Sequence, residues 1–96
     1  MSISHREQRT ASLLGVEDLR TDYRLGRDLA FKLAQTLPHV ITGRAGRGER
    51  RLVRREDMDR LIAAAARVGV SLWSIVREHD AGSLAAWLEQ VEAEAR

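Results

Sequence analysis

Residues 15–38 read GVEDLRTDYRLGRDLAFKLAQTLP, and the fold turns on whether this stretch is one helix or two. Val16, Leu19 and Tyr23 recur at i, i+3 and i+7, the spacing of one helical face. Gly15 is suited to cap that helix, and Glu17 and Asp18 fall in its first turn, where negative charge favours the dipole. Arg24-Leu25-Gly26 then interrupts the pattern for three residues. A second helix is predicted over about Arg27 to Gln35, with Leu29, Ala30 and Leu33 facing inward. Asp28 supports its start, and Pro38 lies just beyond its end. Two helices joined by so short a break form a helix-turn-helix when they cross steeply.

Working outward, PHVITG (Pro38–Gly43) has the β-branched content of a strand. Next comes GRAGRGERRLVRRED (Gly43–Asp57), in which six arginines surround three glycines and the apolar pair Leu52-Val53. RRLVRR reads as a return strand, so the two segments predict a β-hairpin whose tip holds Gly43, Gly46 and Gly48. Glu56, Asp57 and Asp59 open a further helix with Leu61, Ile62 and Ala65 as its apolar face and Gly69 as its terminator. Ser71 caps a short helix, LWSIVREH. A last helix begins after Asp80 or Ser83 and carries Leu84, Trp87, Leu88 and Val91 at i, i+3, i+4 and i+7. On the N-terminal side, Ser12–Gly15 is suited to a short strand and residues 1–12 to a flexible arm. The expected fold is mainly α: a winged helix-turn-helix over residues 13–68, with a short β-hairpin wing, and a helical C-terminal extension over 69–96.

Composition narrows the function. The chain has 96 residues, the size of one small domain, with 44% hydrophobic and 31% charged residues. It has no cysteine, and His5, His39 and His79 have no ligand-like spacing, so neither a disulfide nor a metal site is expected. No apolar run is long enough to span a bilayer and no signal-peptide core is present, which predicts a cytoplasmic protein. No nucleophile elbow, zinc-protease motif or P-loop occurs; GRAGRG lacks the Lys-Ser/Thr that would hold phosphate and metal. Neither an enzyme nor a cofactor or small-molecule substrate is expected. The net charge of +2 conceals an asymmetry: residues 1–60 hold 13 Arg/Lys against 9 Asp/Glu, and residues 61–96 hold 3 against 5. Arginine clustered in this way suits a polyanion.

The stretch from Leu13 to about Ala65 resembles the excisionase-type winged helix-turn-helix, a family related to the DNA-binding domain of MerR-like regulators. The resemblance is carried by Leu13-Leu14-Gly15-Val16-Glu17-Asp18 at the start of the first helix and by Phe31-Lys32-Leu33 in the second. It continues with Leu37-Pro38 at the opening of the wing and with the arginine-rich strand running through Arg54 to Leu61. The family's turn often has a Gly-Val-Ser-like sequence where this chain has Arg24-Leu25-Gly26. The resemblance implies a factor that binds repeated sites beside an attachment site, associates head-to-tail along the DNA and bends it. A tyrosine or serine integrase then excises a mobile element.

On this reading the second helix is the recognition helix, and Arg27, Asp28, Lys32 and Gln35 are its candidate DNA contacts. Arg or Lys pairs with guanine O6/N7 and Gln with adenine N6/N7 in the major groove, whereas Asp28 has an equally simple role as a helix-start residue. Arg44, Arg47, Arg50, Arg51 and Arg54 are the wing candidates for phosphate or minor-groove contact, although some of Arg51, Arg54 and Arg55 are also suited to pairing with Glu56 or Asp57. Phe31 is expected to pack in the core or at the hinge. Trp73, Trp87, Leu88 and Val91 either complete the core or form a surface for a second protomer or another protein. Two other functions are compatible with the same residues: a small dimeric winged-helix transcriptional regulator, and a protein-interaction module such as an antiactivator.

Overall fold

The computed structural model describes residues 12–44 and 47–95, with the Arg47 side chain outside the described set. The expected N-terminal arm therefore lies outside the described residues except for Ser12, as do Ala45 and Gly46 at the hairpin tip. The elements follow in the order β1 (Leu13–Leu14), α1 (Val16–Asp22), α2 (Arg27–Thr36), β2 (His39–Arg44), β3 (Arg47–Arg54), α3 (Arg55–Val68), α4 (Leu72–Glu78) and α5 (Ala81–Glu94). The architecture is mainly helical with one three-stranded antiparallel sheet.

The break between α1 and α2 is a left-handed turn. Arg24 sits at φ +57°, and the Leu25 N–H donates back to the Arg20 carbonyl at 3.2 Å. This closes the last turn of α1 as a glycine normally would, although a Cβ makes the left-handed region costly. Gly26, the last residue of the break, is the extended N-cap of α2 at φ −69°. The Asp18 carboxylate accepts from the Gly15 N–H at 2.9 Å and holds the opposite end of α1.

The sheet order is β1-β3-β2. Leu14 pairs with Val53 and Leu13 with Arg54, and the Arg55 N–H donates to the Ser12 carbonyl at 2.8 Å. The two leucines thus brace the base of the hairpin. Beyond its first residue β2 is exposed along its whole length, so the hairpin projects from the body of the protein. Its pairing shifts register between Thr42 and Arg44. Gly43, at φ +81°, occupies this bulge, where any Cβ would overlap the Gly48 carbonyl oxygen.

One core underlies all the elements. Leu14, Leu19, Leu33, Leu37, Val53, Met58, Leu61 and Leu84 are essentially inaccessible, and Ile75, Leu88 and Val91 join them. The joint at residues 68–69 is therefore a left-handed helix stop at Gly69, and the same core runs on either side of it. α5 packs on both α2 and α3, and α4 packs on α2. Leu88 and Val91, expected either to complete the core or to form a partner surface, are buried in this core. Ile62, expected on the inner face of α3, is 36% exposed, and the inner positions go to Met58, Leu61, Ala64 and Ala65.

Polar ties fix α1 to α3. The Tyr23 hydroxyl donates to Asp59 at 2.7 Å, and Arg55 pairs with Asp22 at 2.8 Å. Burial, then the hydrogen bond to Asp59, pushes the Tyr23 hydroxyl up to about 12. The folded value exceeds the unfolded one of about 10, so this contribution to stability is intact below pH 10. It is lost as pH climbs toward 12. Tyr23→Phe is expected to cost about 1 kcal/mol at pH 8 and to remove this alkaline loss. Urea unfolding of both proteins from pH 8 to 12 measures the difference.

Candidate nucleic-acid interface

The two faces of α2 divide cleanly. Ala30, Leu33 and Ala34 are buried, whereas Arg27, Asp28, Phe31, Lys32 and Gln35 are all exposed. The helical repeat requires this: 27, 31 and 35 form one row along the axis, with 28 and 32 beside it. All four polar residues proposed for the recognition helix therefore share its outer face. Gly26 starts the helix in extended backbone without a side-chain cap, which leaves the first turn open around Arg27 and Asp28.

The hairpin stands beside this face. A groove runs between them, bordered by Phe31 and Ala34 of α2, by Glu49 to Leu52 of β3, and by residues 15–18 at the start of α1. α2 and the hairpin are thereby brought to the two sides of one concavity. The carboxylates on its rim are already engaged: Glu17 pairs with Arg20 at 3.1 Å, Asp18 accepts from Gly15, and Glu49 lies 3.5 Å from Arg51.

The wing arginines are not equivalent. Arg44 and Arg50 are exposed, with no carboxylate partner among the described residues. Arg51 is partly covered and shares its charge with Glu49. Arg54 is anchored: Nε and Nη2 reach the two Asp57 oxygens at 3.1 and 3.2 Å, and Nη1 reaches Glu56 at 2.7 Å. Its Asp57 hydrogen bond, followed by the charges of Asp57 and Glu56, holds the guanidinium pKa above its usual value. Arg54 thus ties the hairpin base to α3, and Arg44 and Arg50 are the hairpin arginines without a carboxylate partner among the described residues. The position proposed for the Arg47 side chain lies outside the described residues.

Asp57 is the residue that local reading undervalued. It is 3% exposed and serves Arg54 on one side and Arg60, at 3.6 Å, on the other. Arg60 in turn makes a two-pronged contact with Glu92 of α5, both distances 2.8 Å. A chain of charges therefore runs from the foot of the wing to the last helix. Pairing of Asp57 with Arg54 was open to local reading, being three residues apart, whereas the Arg60–Glu92 contact, 32 residues apart, leaves no local trace.

Phe31, expected in the core or hinge, is 49% exposed on the outer face of α2. Val40 and Ile41 on the hairpin are also more than half exposed. Trp73 is 40% exposed, while Trp87 is half-buried with its ring 5.7 Å from that of His79. Among the described residues no group of His, Asp and Glu is placed to hold a metal ion, and no helix is long and apolar enough to cross a membrane. No family model, curated protein or solved structure matches the chain.

Proposed function

We propose that this protein binds double-stranded DNA, with α2 in the major groove and the hairpin on the adjoining backbone and minor groove. In this role it acts as an excisionase, an architectural accessory factor that binds repeated sites beside an attachment site. There it shapes the DNA for a separate tyrosine or serine integrase. Bond breakage belongs to the integrase, and this chain contributes binding and bending. One observation carries the reading: Arg27 and Lys32 on the outer face of α2 and Arg44 and Arg50 on the hairpin are exposed with no carboxylate partner among the described residues, whereas Arg20, Arg54, Arg55 and Arg60 are held in ion pairs. Unpaired arginines at such a site cost nothing in broken contacts when they meet phosphate.

Arg27 and Lys32 are assigned to guanine, Gln35 to adenine, and Arg44 and Arg50 to phosphate and minor groove. The disposition of α5 argues against a coiled-coil dimer. Its apolar residues Leu84, Leu88 and Val91 are spent inside the protomer, so no heptad seam is left for a partner helix.

Selection of bound duplexes from a random pool at about 0.15 M salt tests the reading, because non-specific binding is already weak there. The expected result is one motif in closely spaced direct repeats. An inverted repeat would instead identify a symmetric regulator. Failure to enrich any motif would sink sequence-specific binding and favour a protein-interaction module.

A further inference from the structure

Phe31 stands out among the candidate contacts because it cannot bond to a phosphate or to a polar base edge. Its ring is 49% exposed, while Ala30 and Leu33 beside it are completely buried. The core is thus closed without it. Phe31 lies between Arg27 and Gln35 on the same helical row, and on its inner side the groove is lined by the apolar Ala34 and Leu52. Exposed Arg27 and Lys32 lie on the same helix face and Arg50 borders the groove, together with Asp28 and the engaged carboxylates Glu17, Asp18 and Glu49. An apolar spot among polar and charged neighbours suits a ligand that is polar at its edges and apolar at one point.

We propose that Phe31 is a specificity residue that packs against the C5-methyl group of a thymine in the major groove. Among the four bases only thymine presents an apolar group there, so an aromatic side chain on a recognition face has one natural complement. The neighbours Arg27 and Gln35 hydrogen-bond to purine edges and draw nothing from a methyl group. Phe31 therefore adds a base preference that the polar residues cannot supply. The assignment rests on the DNA-binding reading above and names the base that the helix face selects.

The test uses the full chain and the duplex enriched from the random pool, remade with deoxyuridine at each thymine in turn. Deoxyuridine keeps the Watson–Crick edge and the O4 acceptor and lacks only the methyl group. One such replacement is expected to weaken binding about fourfold, the worth of burying a single methyl group. Phe31→Ala is expected to lose a similar factor on the thymine duplex and to be indifferent to the replacement. Phe31→Gln, a good helix former, is expected to behave in the same way and guards against a folding defect in the alanine variant. Equal binding of every deoxyuridine duplex by the parent would overturn the assignment. So would full methyl sensitivity in either variant. If the pool yields no enriched duplex, DNA recognition itself falls and the assignment with it, an outcome distinct from a motif that binds without regard to methyl groups.

Discussion

Leu33→Ala is expected to lower the unfolding free energy by about 3–5 kcal/mol. Leu33 is completely buried at the centre of the inner face of α2, the helix on which α1, α4, α5 and the sheet all converge. Removing three side-chain carbons there leaves a cavity bounded by rigid helices on several sides, with little room for collapse. Domains of this size tolerate few such losses, since total stability is about 5–15 kcal/mol. Urea unfolding followed by circular dichroism at 222 nm should show a lower midpoint with little change in slope. The adjacent Lys32→Ala gives the contrast. Lys32 is exposed and unpaired, so its loss should move stability by no more than about 0.5 kcal/mol. A large loss at Lys32, or a small one at Leu33, would mean that the faces of α2 are assigned the wrong way round.

The second large effect is on DNA. Arg44→Ala combined with Arg50→Ala should weaken binding about 30-fold at 0.15 M salt, equally on specific and random duplexes. The log–log salt slope should become shallower by about 2, since each neutralised phosphate contributes about 0.9 to it. Both side chains are exposed and lack a carboxylate partner among the described residues, so stability should be unaffected. Replacing Arg54 offers a control with the opposite signature. Its guanidinium is engaged by Asp57 and Glu56, and its removal strips the nearly buried Asp57 carboxylate of one partner. Arg54→Ala should cost stability and leave the salt slope largely unchanged. An unchanged slope in the Arg44/Arg50 double variant would remove the hairpin from the DNA interface.

Much of this was legible in the chain itself. The outward face of α2 follows from the 3.6-residue repeat: of Leu29, Ala30 and Leu33, expected inward, Ala30 and Leu33 are buried, while Leu29 is only partly covered and Ala34 completes the inner face. Ser71 and Asp80 cap their helices as their side chains and positions indicate, each accepting from the backbone N–H three residues on. Gly69 ends α3 in the left-handed region that glycine enters without strain. These are contacts across three or four residues, where sequence spacing and spatial distance are nearly the same thing.

The burial of Leu88 and Val91, the exposure of Phe31 and Ile62, and the division of the arginines were decided elsewhere. A helical stripe shows which residues share a face and leaves open whether that face meets the core or a partner. Phe31 illustrates the limit: its hydrophobicity argues for burial, but α2 presents its buried arc to α4 and α5, and the ring falls outside it. The six arginines from Arg44 to Arg55 look alike in sequence. Arg54 is anchored by Asp57 on the next turn, Arg55 by Asp22 from 33 residues away, and Arg44 and Arg50 by no carboxylate described here. Local sequence thus determined the helices, their caps and the arginine hairpin, because these depend on backbone geometry and near neighbours. Only the tertiary structure decided which faces meet the core and that Arg55 and Arg60 are held by Asp22 and Glu92, because that depends on where distant segments come to rest when the core closes.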